Sequence, residues 1–347
     1  MSVPAVLLLI FRRADLVRRQ IEGLRSVRPF RVYVAGDGPR PDHPDDASAC
    51  QAAREALADI DWPCELRTLF RPSNLGLKRA VSQAIDWFFE QEDQGIILEE
   101  DCLPHPSFFP YCGALLDRYR HDVRVMQISG TNFQPERRTS GGQSYFFSRY
   151  NHVWGWATWR RAWTMYRRNF EGLGEFLEET SENGFWENRR EKKYWSKMFA
   201  RAQQEVVGSW AYRWTYTIWV EGGLCIYPET NMVSNLGFDT DATNTIKPDK
   251  VKGSQPVRAL TALTHPSTVM RNRPADGWTF EHLYWGDPVS RTVHRAEKLG
   301  RMVGSFFTRA TVRRNSAPKG AAVRCRTTPY SPSKPVGPAT VCIRQKQ

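Results

Sequence analysis

Long apolar runs are missing from this chain. The longest, Val3 to Phe11, is roughly half of what a membrane-spanning helix needs, so no transmembrane helix is expected. Nor does that run suit a secretion signal: no basic stretch precedes it, and Arg12 and Arg13 stand where small residues would mark a cleavage site. It reads as a first buried strand. Paired cysteine spacings are missing too. Seven cysteines (Cys50, Cys64, Cys102, Cys112, Cys225, Cys325, Cys342) are odd in number, scattered and never C-x-x-C, which speaks against a disulfide framework and structural zinc and makes a reducing cytoplasm the expected compartment. None of the seven histidines forms an H-x-x-x-H pair, and no G-x-S-x-G elbow supports a serine hydrolase. The glycine-rich loop that a nucleotidyltransferase needs after its first strand is replaced by Phe11-Arg12-Arg13.

What is present is a chain of 347 residues, 41% hydrophobic and 25% charged, with 13 Trp, enough for about two average domains or one large α/β domain with appendages. Its net charge of +12 is unevenly spread. Residues 291–347 hold 13 Lys and Arg against Glu297 alone, so residues 1–290 are neutral with 36 of each sign. A neutral body argues against a nucleic-acid-binding protein, because phosphate neutralisation would be confined to the tail.

The first half alternates β-rich apolar runs with amphipathic stretches, the pattern of a mostly parallel central sheet with helices on both faces. Strands are predicted at Ala5–Phe11, Arg31–Ala35, Glu65–Phe70, Gly95–Leu98 and Arg124–Ser129, and helices at Ala14–Val27, Asp45–Ile60, Gly76–Glu90 and Pro106–Tyr119. An aromatic-rich segment (Tyr145–Tyr166), a charged helical stretch (Glu187–Val206) and a strand-like Gly223–Pro228 follow. Residues 1–245 are read as one domain in two halves, 1–130 and 131–245. Residues 246–312 read as a helical C-terminal extension, and 313–347, rich in Pro, Ser, Thr, Lys and Arg, as a disordered basic tail.

In doubly wound sheets ligands bind at the carboxyl ends of the strands. Those ends carry Arg12 and Arg13, then Gly36-Asp37-Gly38, then Arg71 and Asn74 to Arg79, then Glu99-Glu100-Asp101. Cations, one isolated carboxylate and an acidic cluster would converge on one rim, as a hard divalent cation completing its shell with phosphate oxygens requires. Three consecutive acids at a strand end also suit a solvated turn. The apolar Ile96-Ile97-Leu98 running straight into them, and Pro106 opening a helix just beyond, favour a site.

The stretch from Gly95 to Phe109 resembles the metal-binding segment of GT-A glycosyltransferases, especially the inverting N-acetylglucosaminyltransferase I group and a set of bacterial family-2-like sugar transferases. Asn74 to Arg79, Trp154 to Arg160 and Pro228 to Phe238 resemble further elements of that family, in the same order. The resemblance implies a GT-A (nucleotide-diphospho-sugar transferase) fold and metal-assisted transfer of a sugar from a nucleotide-diphosphate donor, uridine-linked for preference, to a glycan or glycoconjugate, as in bacterial cell-envelope polysaccharide synthesis. It implies that 1–130 is the nucleotide-sugar-binding half and 131–245 the acceptor-binding half of a glycosyltransferase domain, that Asp101 ligates Mn2+ or Mg2+ and that Glu99 faces the ribose. Asp37 would read the base and Arg13 contact the diphosphate, with Arg12, Asn74, Lys78, Arg79 and Glu100 completing the donor site. Glu100 stands where the family more often has Asp.

In the bacterial set the general base lies in a segment resembling W-D-Y-Q-W; here it reads Trp210-Ala211-Tyr212-Arg213-Trp214. Ala211 cannot accept a proton, so activity is expected to be impaired, unless Glu221, Asp239 or Asp241 substitutes; a donor-binding pseudo-enzyme is the close alternative. Trp154 and Trp156, flanking Gly155, are the preferred acceptor contacts, although tryptophans equally fill cores. A basic amphipathic stretch within 291–312 (Val293, Ala296, Gly300, Val303, Phe307) would either lie peripherally on the inner membrane face or dock on the body.

Overall fold

A computed structural model describes residues 3–134, 142–181, 183–237 and 256–285. Asp239, Asp241, the basic stretch 291–312 and the tail lie outside the described residues. Of the described residues, those up to 280 belong to one compact unit and 281–285 to a second. The site belongs to the first unit.

Its first half contains β1 (Val6–Ile10), α1 (Ala14–Arg25), β2 (Arg31–Gly36), α2 (Asp46–Glu55), β3 (Glu65–Phe70), α3 (Leu77–Gln91), β4 (Gln94–Glu99), β5 (Cys102–Pro104), α4 (Phe108–Arg118) and β6 (Val125–Ser129). Then come β7 (Tyr145–Ser148), β8 (Trp156–Trp159), α5 (Arg160–Trp163), α6 (Leu173–Glu179), α7 (Arg189–Gln203), α8 (Ala211–Val220), β9 (Leu224–Pro228), β10 (Val233–Asn235) and α9 (Arg273–Thr279). Among the described residues the main sheet has eight strands in the order β3-β2-β1-β4-β8-β6-β9-β7, with β7 and β8 antiparallel to the other six. The expected α/β class and mostly parallel sheet are what the chain adopts.

Burial explains the central strands. All five residues of β1 are buried, as a strand covered on both faces demands. Val6 and Leu8 face a core built with Val17 and Ile21 of α1 and Leu115 of α4, while Tyr33 on the opposite face meets Phe88 of α3 edge-on at 5.0 Å. The aromatic segment supplies the antiparallel strands. Alternation along β8 sends Trp156 to a cluster with Trp163, Trp210 and Trp214, and Trp159 to the other face, where its Nε1 donates to the Leu116 carbonyl at 3.0 Å.

The edge strand β7 is not left open. Residues 262–272 run beside it, with the Asn272 amide donating to Phe147 O (2.7 Å) and the Thr264 amide to Ser144 Oγ (2.7 Å), which blocks pairing with another chain. Cys50, Cys64, Cys102, Cys112 and Cys225 are free thiols. No helix among the described residues is long and apolar enough to cross a membrane.

Candidate active site

Register delivers the site. Leu9 pairs with Glu99, Ile10 with Gly36, and Gly36 with Phe70, so the residues that follow each strand reach one rim. Strand order reverses at β1, with β2 and β3 on one side and β4 on the other. A cavity of about 430 Å³ opens at this switch point. Leu9, Ala35, Leu77, Ala80, Val81 and Ala84 line its apolar part, and its polar residues include Arg13, Asp37, Arg40, Arg71, Asn74 and the three acids.

Each polar group has a definable job. Arg13 donates Nε to Glu100 Oε1 (2.8 Å) and an Nη to Asp101 Oδ2 (3.2 Å), while the Phe11 amide donates to Glu100 Oε2 (2.8 Å). The longer Glu100 therefore bridges the ends of β1 and β4. Three carboxylates face one guanidinium, and Glu99 shows the consequence: burial, then repulsion from Asp101 and Glu100, lift its carboxyl well above the usual carboxylate range, with Arg13 only partly offsetting. That repulsion is what a divalent cation would relieve. No three His, Cys, Asp or Glu side chains among the described residues form a complete cage, so a cation here would keep water or ligand oxygens in its shell.

The loop after β10 closes the acids from above. β5 and β10 pair antiparallel, Asn235 opposite Cys102, and the Leu236 amide donates to Asp101 O at 2.8 Å. Gly237 lies so close that a Cβ there would sit 2.2 Å from Asp101 Oδ2 and 2.9 Å from Asn235 Oδ1. Both residues line the cavity.

Asp37 lines the cavity but is a loop organiser. Its oxygens accept from the Gly38 amide (2.9 Å), Asn74 Nδ2 (3.0 Å), the Leu75 amide (3.0 Å) and the Gly76 amide (3.2 Å), which fills the roughly four acceptor positions of a carboxylate. Gly76, at φ 77° and ψ 154°, turns the chain into α3 in a region open essentially to glycine alone. These bonds give Asp37 a scaffold role that the resemblance does not imply.

Other expected contacts also change. Arg12 pairs with Asp46 (3.1 Å), Lys78 reaches Glu205 (2.6 Å), and neither these cations nor Arg79 line the cavity. Trp156 is completely buried and stacked on Trp210, so it packs the core and cannot meet an acceptor; Trp154 does line the cavity. Gly155 adopts φ 62°, and a Cβ there would press on Val233 at 2.8 Å. Glu221 is ion-paired with Arg167 (2.7 Å) at the far end of α8, ten residues or about 15 Å from Ala211, and does not line the cavity. Sequence reasoning missed Arg40, Asn235 and Gly237 as cavity residues; the signature around Pro228 to Phe238 carried the signal for the last two.

Arg40 is held by buried Asp46 through two guanidinium hydrogen bonds (2.6 and 2.9 Å). Hydrogen bonding from Arg40, aided by Arg12, pulls the Asp46 carboxyl down to about 2. A depressed folded-state value means that the pair's stabilisation is complete above the ordinary aspartate range and is lost as pH falls toward 2. The melting-temperature gap between wild type and Asp46→Asn should therefore be widest at pH 5 and shrink by pH 2.5; a constant gap would contradict the pairing.

No family model matches the chain, and neither does any curated protein. Among solved structures it is similar to the mannosyltransferase PcManGT from Pyrobaculum calidifontis in complex with GDP-Man and Mn2+ (15% identity, TM-score 0.30, 52% of this chain and 49% of that one). Others are HddC from Yersinia pseudotuberculosis complexed with GMP-PN (10%, 0.28, 46% and 77%) and mouse xyloside xylosyltransferase 1, apo form (10%, 0.30, 62% and 80%). The chain spans about half the length of the Pyrobaculum protein. Likeness at this level assigns no activity, and the site must be read from its own chemistry.

Proposed function

We propose that this protein binds a nucleoside-diphosphate sugar in the strand-end cavity and transfers the sugar to a hydroxyl of a glycan or glycoconjugate, with Mn2+ or Mg2+ held by Asp101. The observation that carries this reading is the trio Glu99, Glu100 and Asp101 facing Arg13 at the switch point between β1 and β4. A diphosphate brought there would meet the excess negative charge of the acids, so its binding calls for a cation between them. When bound, that cation supplies electrostatic stabilisation of the leaving diphosphate. The chain's own groups do the rest. Arg13 holds Glu100 and Asp101 in place, Asn235 and Gly237 roof the acids, and Trp154 offers a flat apolar face at the wall.

Calorimetry with Mn2+ and a panel of nucleotide sugars tests the reading. Heat that requires cation and nucleotide together is expected, and its absence across the panel would overturn the proposal. A second variant probes the roof. Gly237→Ala should displace the Asp101 carboxylate and weaken Mn2+ binding by roughly tenfold or more, with little change in melting temperature. Unaltered Mn2+ affinity would show that Asp101 is not a ligand.

A further inference from the structure

Resting on the nucleotide-sugar reading, we infer that the donor's base is guanine, read along its O6/N7 edge by the guanidinium of Arg71. Three observations converge on this. Arg71 follows β3 and lines the cavity, and among the described residues its side chain has no acid or hydrogen-bond partner, whereas Arg13 and Arg40, the other cavity arginines, are both ion-paired. Its backbone is fixed: the Arg71 amide donates to Gly36 O (3.0 Å), and Arg54 donates to the carbonyls of both Arg71 (2.9 Å) and Asp37 (3.3 Å). The guanidinium is thus an anchored, uncommitted fork of donors.

Distance assigns it to the base and not to the phosphates. From the end of β3 to the end of β4 there are three inter-strand steps, roughly 14 Å, about the reach from a nucleobase to its diphosphate. With the acids of β4 at the diphosphate end, Arg71 falls at the base end. The apolar strip from Leu77, Ala80 and Ala84 offers a flat ring a surface between the two.

Complementarity then selects the base. Asp37 would be the natural acceptor for a base N–H, but its oxygens are filled by the 74–76 loop. Asn74 Oδ1 is a neutral acceptor that suits a uracil or a guanine N–H alike, so it does not discriminate. The choice passes to the fork of Arg71, which needs two adjacent acceptors on the edge of the base turned away from the sugar. Guanine's O6/N7 edge meets that condition; adenine sets its amino group beside N7, cytosine's adjacent pair O2/N3 begins next to the glycosidic bond, and uracil's two carbonyls flank an N–H. Uridine, the base implied by family resemblance, would leave half of the fork unmatched.

The test is equilibrium binding of nucleoside diphosphates to the full chain with Mn2+ present. GDP should bind at least about tenfold more tightly than UDP, CDP or ADP. IDP, which keeps O6 and N7 but lacks the 2-amino group, should match GDP, and 7-deaza-GDP should lose most of the advantage. Arg71→Gln should bring GDP down to the level of UDP while UDP is unchanged, and Arg71→Lys should fall between. UDP binding as tightly as GDP would overturn the inference and leave the glycosyl-transfer reading standing. An equal loss for all four nucleotides in Arg71→Gln would move Arg71 to the phosphates and also overturn it. Failure of every diphosphate to bind would overturn both.

Discussion

Asp101→Asn should abolish cation-dependent nucleotide binding and lower sugar transfer by about 10³-fold, equivalent to about 4 kcal/mol in the barrier. The substitution keeps the shape of the side chain and removes one charge. Arg13 retains its 2.8 Å bond to Glu100, so the rim between β1 and β4 should hold. Asp101 is also the charge whose repulsion, after burial, contributes most to raising the carboxyl of Glu99. Deleting it relieves that strain when no cation is present, so the variant's melting temperature should equal or exceed that of wild type without Mn2+. Added Mn2+ should then stabilise the wild type and leave the variant unmoved. Opposite signs for stability and binding separate a lost ligand from a misfolded site. Mn2+ stabilising both proteins equally would remove Asp101 from any cation site.

The first half of the fold was legible in the sequence because its signals are local. Each central strand is a short apolar run, each helix repeats its buried positions at helical spacing, and strand ends in a parallel sheet fall on one rim without further information. The second half was less so. In β7 and β8 every residue is buried, so the alternation that marks a half-exposed strand is absent, and the aromatic density suits a core, a helix or a binding surface equally. Trp156 shows the cost of that ambiguity: the turn at Gly155 (φ 62°) separates it from Trp154, so that Trp156 is buried while Trp154 reaches the cavity.

Site residues divided in the same way. Residue type and strand-end position sufficed to bring Arg13, Asp37, Asn74 and the three acids to the cavity wall. Who pairs with whom was not legible, because the partners lie far apart in sequence: Asp37 with the 74–76 loop, Arg12 with Asp46, Lys78 with Glu205. Each pairing converts an apparent ligand contact into a scaffold contact. The ribbon of β5 and β10, three residues per strand, is too short to leave a pattern, yet it brings Asn235 and Gly237 against Asp101.

Ala211→Asp should raise the rate of sugar transfer by about 10²- to 10⁴-fold, the usual worth of a general base, with donor affinity unchanged. Ala211 is the first residue of α8 and only half-buried, so an aspartate there is favoured by the helix N-terminus and buries no lone charge. It does not line the strand-end cavity, which suits a base if the proposed transfer inverts: the acceptor hydroxyl then approaches the sugar from the face opposite the diphosphate. Two contacts tie the N-terminal part of α8 to the segment on either side of Trp154. Thr215 Oγ1 donates to Asn151 Oδ1 at 2.5 Å, and Trp210 stacks on Trp156 (ring centres 5.6 Å apart), so the loop carrying Trp154 is braced on α8. A carboxylate at 211 would therefore be held by the same frame that sets Trp154 beside the donor. If the variant gains rate, its rate should fall below the ordinary aspartate range, as the new group is protonated, while the wild-type rate stays flat through that pH step. No gain in rate, with nucleotide binding intact, would place proton abstraction at another residue.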